Sequence, residues 1–115
     1  MGEARFLLPD EAIENLDQYL ALDGGVGLRS ARALGWEATI DEVVAAGLRG
    51  RGGAGFATGT KWASVRSGGS GPRFVVANGA EGEPGSFKDR LLMRRDPYRV
   101  VEGAAIAALA VGATT

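Results

Sequence analysis

The sequence predicts an incomplete α/β domain: a helical N-terminal segment, a glycine-rich loop, one or a few strands and a final apolar helix. Three observations predict it. Apolar residues recur at helical spacing before residue 48 and again after residue 97. One short β-branched run, Phe74-Val75-Val76-Ala77, reads as a buried strand. Six glycines fall within residues 47–59, out of 19 in the whole chain of 115 residues. Such density needs a reason, because ordering glycine costs backbone entropy.

The elements follow in order. Residues 11–22 read as a helix with Asp10 as N-cap and Ile13, Leu16 and Leu20 on one face. Residues 27–34 form a short second helix stopped by Gly35. Thr39-Ile40-Asp41-Glu42 has the form of a capping box, so Thr39 is expected to start a third helix, with Ile40, Val43, Val44 and Leu48 on its apolar face. After the glycine loop, Thr58 to Val65 are helical, and Ser67 to Pro72 make a surface turn by composition. Asn78 to Gly85 form a loop, and Lys88 to Arg95 a helical segment. Asp96-Pro97 starts the last helix as an Asp N-cap followed by proline. That helix is small and apolar on most sides and should be buried. One strand cannot make a sheet, so the fold is expected to be unfinished at Thr115. Residues 1–38 are expected to be a helical N-terminal segment and 39–115 the N-terminal part of the ligand-binding domain.

Composition narrows the function classes. With no cysteine and no histidine, the chain has no disulfide, no thiolate metal or iron–sulfur ligand, and no His-based triad. No metal-ligating set is expected. A net charge of −1 gives no electrostatic case for nucleic acid. Arg90, Arg94, Arg95 and Arg99 alternate with Asp89, Asp96 and Glu102, which reads as a solvated helix surface. The run Val100–Ala113 is interrupted by Glu102 and too short to span a bilayer. The N-terminus has no secretory pattern. A cytoplasmic location is the default, peripheral to the inner membrane at most through partner subunits.

Between Gly47 and Trp62, missing Cβ atoms let backbone N–H groups line a concavity that opens on a helix N-terminus, suiting a phosphate or pyrophosphate. Lys61 adds charge one turn into that helix, and Arg49 and Arg51 flank the loop. Gly50-x-Gly52-x-x-Gly55 matches the Rossmann fingerprint, but a helix precedes it rather than a strand. A Walker loop fails because Thr60 separates Gly59 from Lys61 and Trp62 stands where a Ser or Thr would hold magnesium. A flexible hinge is at odds with the interleaved Phe56 and Trp62. A flavin mononucleotide loop with its own glycine pattern is the third reading, and it stands beside these alternatives. The second loop follows the strand's carboxyl end, where α/β proteins place ligands. Asn78 can donate and accept hydrogen bonds, and Glu81 and Glu83 are acceptors suited to ribose hydroxyls or a carboxamide.

Together, Gly47-Leu48-Arg49-Gly50-Arg51-Gly52-Gly53-Ala54-Gly55-Phe56, Thr58-Gly59, Lys61-Trp62 and then Asn78, Glu81, Glu83-Pro84-Gly85 and Lys88-Asp89-Arg90 resemble the flavin subunit of respiratory complex I and the related diaphorase subunits of NAD-linked hydrogenases and formate dehydrogenases. The resemblance runs from about Ile40 to the C-terminus. It implies that the chain is an N-terminal fragment of that family's FMN-binding domain. Gly50, Arg51, Gly52, Gly53 and Gly55 would lie along the FMN, Lys61 would contact the flavin or its phosphate, and Asn78 would bind FMN. Phe56 would stack on the NADH adenine, and Glu83 would hydrogen-bond the nicotinamide nucleotide. The implied reaction is hydride transfer from NADH to FMN, with iron–sulfur clusters only downstream or in partner subunits. The sequence departs from the pattern at Ser64, where many members carry a second phenylalanine, and at Ala80, where many carry Asp. The implied enzyme is an FMN-dependent NADH dehydrogenase working with other subunits; the fragment alone is expected to lack turnover. The alternative is a non-catalytic nucleotide-binding or structural piece.

Overall fold

A computed structural model describes residues 9, 11–50, 55–69, 71–79 and 88–114. Among them are six helices: α1 (Leu16–Ala21), α2 (Val26–Leu34), α3 (Trp36–Ala45), α4 (Thr58–Ser67), α5 (Lys88–Arg95) and α6 (Pro97–Val111). Helix α6 is the hub, packing against α2, α3, α4 and α5, while α3 also packs on α2 and α4. Among the described residues, the buried apolar ones are Ile13, Tyr19, Ala31, Ile40, Ala110 and Val111.

The first helix is shorter than its apolar spacing suggests. It starts at Leu16, where the Asn15 side chain accepts the Gln18 N–H at 2.8 Å. Ile13, expected inside the helix, instead donates its N–H to the Arg95 carbonyl at 2.7 Å, which draws residue 13 to the end of α5. The expected cap Asp10 lies outside the described residues.

Thr39 does not cap α3; it lies inside it. Gly35 is the N-cap, at φ +88°, a left-handed value that glycine adopts without strain. The Thr39 hydroxyl turns back and donates to the Gly35 carbonyl at 2.7 Å. A buried threonine in a helix satisfies its hydroxyl this way, so the capping-box pattern is met by residues already one turn into the helix.

The Asp96-Pro97 start of α6 is as expected: the Asp96 carboxylate accepts the Arg99 N–H at 3.1 Å. Its apolar surface is only partly covered, however. Ala110 and Val111 are buried, while Val101 is 67% exposed. Gly112 closes the helix in the left-handed conformation, with its N–H and that of Ala113 both directed to the Ala108 carbonyl. Arg66 supports the same end. Its guanidinium donates to the Leu109 and Ala110 carbonyls at 3.1 and 3.2 Å and lies 4.0 Å over the Trp36 ring.

The expected strand at Phe74–Ala77 is not formed, and no strand occurs among the described residues. Exposure alternates as it would in a strand: Arg73 and Val75 are half-buried, whereas Phe74 is 61% and Val76 84% exposed. A strand also needs a neighbour to take its N–H and C=O groups. The described chain supplies none, so the β component of the expected α/β class is not seen here.

Candidate functional site

The glycine loop begins where α3 ends. Leu48-Arg49-Gly50 and Gly55-Phe56-Ala57-Thr58 run antiparallel for a single rung, with Arg49 opposite Ala57. The Gly50 N–H donates to the Phe56 carbonyl at 2.9 Å, and the Thr58 N–H to the Leu48 carbonyl at 3.0 Å. Arg49 adds a third tie from its side chain, donating to the Gly55 carbonyl at 3.0 Å.

The described glycines of this loop differ in what a Cβ would meet. At Gly55, which has φ +65°, there is nothing within 4 Å, and at Gly50 the nearest atom is the Phe56 carbonyl oxygen at 3.8 Å. Both present bare main chain. Gly59 is different. A Cβ there would lie 2.5 Å from Val44 Cγ2, 3.0 Å from the Val44 nitrogen and 3.2 Å from the Ile40 oxygen. Its missing side chain lets α4 press against α3, so Gly59 is a packing glycine and not part of an open cradle.

Helix α4 starts at this loop with Ala57 as N-cap, no side-chain capping bond and no acidic residue in its first turn. The positive end of the helix is therefore not neutralised by its own side chains. Lys61 lies in that first turn, exposed, with its ammonium 6.0 Å from the centre of the Phe56 ring. Phe56 is 64% exposed, so its ring is not a core residue. Bare backbone, an uncapped helix start, a lysine and an open aromatic face suit a planar, phosphorylated ligand, and these residues fit an FMN-type cofactor.

Gly50, Gly55, Phe56 and Lys61 are thus brought together. Asn78, with Ala77, Gly79, Leu92, Met93 and Val100, lines a depression of about 180 Å³ on α5 and α6. None of the described residues lining it comes from the glycine loop. Arg51, Gly52, Gly53, Glu81 and Glu83 lie outside the described residues. No group of three or more acidic residues that could hold a metal occurs among the described residues.

Comparison with known proteins decides the family. The sequence profile of the Nuo51 FMN-binding domain matches residues 43–115. The chain belongs to that family. It is 47% identical over 97 residues to an NADH-quinone oxidoreductase subunit of Rhizobium meliloti (strain 1021), covering 81% of this chain and 23% of that protein. It is 44% identical over 102 residues to the corresponding NADH-quinone oxidoreductase subunit of Aquifex aeolicus (strain VF5), covering 88% and 24%. To the NADP-reducing hydrogenase subunit HndC of Solidesulfovibrio fructosivorans it is 43% identical over 101 residues, covering 88% and 20%. The chain spans less than a quarter of the length of these relatives. The family match includes all of the glycine loop and α4, so the described part of the site is family sequence.

Two residues gain a role that their sequence context only hints at. Arg49 reads in the sequence as a flanking charge; its place directly before the glycine run is the signal that it serves the loop. Glu102 reads as a break in an apolar helix. It caps α2 from a distance, accepting the Gly25 and Leu28 N–H groups at 2.8 and 2.9 Å and the Tyr19 hydroxyl.

Proposed function

We propose that this chain carries the FMN-facing loop of an NADH dehydrogenase flavin subunit and acts as part of a larger redox complex. One observation carries the reading. Within a segment matched by an FMN-binding family, Gly50 and Gly55 leave the backbone bare beside the uncapped start of α4. When bound, FMN would supply the hydride-accepting chemistry and the protein its orientation and electrostatics.

The residues then take the following roles. Gly50 and Gly55, with Arg51, Gly52 and Gly53, let the cofactor approach the main chain. The α4 N-terminus and Lys61 favour its phosphate. Phe56 offers an open ring face for the adenine of NADH. Asn78, Glu81 and Glu83 supply hydrogen-bonding groups from the second loop. Electrons would pass to iron–sulfur centres outside this chain, since it has no cysteine. Partner subunits follow from the same reading, as the relatives are named as subunits. Among the described residues no helix is long and apolar enough to cross a membrane. Association with the inner membrane would therefore be through those partners. Residues 39–115 would form the FMN-binding part and 1–38 a helical lead-in.

Titration of the purified chain with FMN, followed by flavin fluorescence and absorbance, tests this. Quenched, saturable binding and bleaching on addition of NADH support the reading. Binding without bleaching identifies a nucleotide-binding piece without turnover, and no uptake at millimolar FMN leaves a purely structural role. In a chain that binds, Lys61→Ala should raise the FMN Kd about five- to thirtyfold, roughly 1–2 kcal/mol, the order of one charge-assisted contact. Unchanged affinity would remove Lys61 from the site.

A further inference from the structure

We propose that Arg49 is a positioning residue: its side chain locks the two arms of the glycine loop in register, so that Phe56 and the bare backbone at Gly50 and Gly55 stay in place for the nucleotide. The inference rests on the FMN reading for its functional half and on geometry alone for its structural half.

The two arms share one antiparallel rung with two backbone hydrogen bonds, Gly50 to Phe56 and Thr58 to Leu48. A single rung is a weak clamp, and register in such a pair can slip by a residue. A slip of one would turn Phe56 to the other face of its arm. The Arg49 guanidinium bond to the Gly55 carbonyl, at 3.0 Å, ties the arm beyond the last backbone bond. It also holds the carbonyl of a residue at φ +65°, which a glycine could readily leave for other conformations. The outer ends of both arms are already fixed, because Gly59 seats α4 on the backbone of α3. Arg49 therefore controls the inner ends. It is exposed, so its removal should affect the loop more than the fold. The bond uses one guanidinium nitrogen, a geometry that a lysine ammonium can also supply.

The test compares the whole chain with Arg49→Ala and Arg49→Lys. Amide hydrogen exchange at Gly50 and Thr58 reads the clamp, FMN titration reads the site, and the thermal midpoint reads the fold. Arg49→Ala should lower protection of both amides and raise the FMN Kd, each about five- to tenfold, the order of one lost solvent-exposed hydrogen bond. Its thermal midpoint should stay close to that of the parent, and Arg49→Lys should recover most of both effects. Unchanged protection in Arg49→Ala would overturn the clamp. Lost protection with unchanged FMN affinity would overturn its positioning role. A parent chain that takes up no FMN would count against the function proposed above, while the exchange data would still decide the clamp.

Discussion

Glu102 stands in the middle of an apolar helix, and its surroundings account for it. Burial pushes its carboxyl pKa up. The hydrogen bonds from Tyr19 and from the Leu28 and Gly25 amides, with the Arg99 charge, outweigh burial and hold it below the ordinary 4.5. The partner shifts the opposite way: burial first, then the hydrogen bond and charge of Glu102, push the Tyr19 hydroxyl up to about 12. The carboxylate thus supplies the cap that α2 lacks, since Gly25 has no side chain to offer. A carboxyl with a lowered folded-state pKa stabilises fully above its unfolded value and loses that contribution as pH falls through the folded value. Thermal midpoints should therefore fall more steeply below about pH 4.5 in the parent chain than in Glu102→Gln, and Glu102→Gln should be the less stable at pH 7. Parallel curves would refute the assignment. For Tyr19 the sign reverses, and its contribution is lost as pH rises from 10.0 towards about 12.

At the scale of elements, the contact between α3 and α4 holds the site, because the glycine loop leaves one helix and enters the other. Gly59 makes that contact a backbone-to-backbone approach. Gly59→Ala places a methyl group against the Val44 nitrogen and the Ile40 oxygen, which cannot rotate away. It should destabilise by about 1–3 kcal/mol, the usual cost of overpacking. A chemical denaturation series would show the lowered midpoint. A neutral result would mean that α4 can shift away from α3 without loss.

Taken whole, the described chain has little interior. Among the described residues no large side chain is fully buried, and Phe74, Val76, Leu22 and Val101 are all more than 60% exposed. The Cα radius of gyration, 15.0 Å, exceeds the roughly 13 Å of a compact domain of this length. An apolar stretch with unpaired backbone invites edge-to-edge association. Phe74→Ser combined with Val76→Ser should therefore reduce concentration-dependent self-association in light scattering or analytical ultracentrifugation, with little change in helix content by circular dichroism. Undiminished association would place the sticky surface elsewhere, with the groove between Leu16, Leu20, Leu28 and Val101 as the next to test.

Much of this protein is legible in its sequence alone. The Asp96-Pro97 helix start, the stop at Gly35 and the extent of α5 depend on local chemistry, which short stretches of sequence carry. Family membership is legible too, because long motifs around Gly50 and Asn78 record residue types at fixed spacing. Packing decided the remainder. Thr39 has the look of a cap but is drawn into α3. Gly59 has the look of cradle and is a seat for α4. Glu102 has the look of an interruption and closes α2 from 77 residues away. Each of these depends on a neighbour distant in sequence, and a strand at Phe74–Ala77 likewise requires a pairing partner that local preference cannot supply.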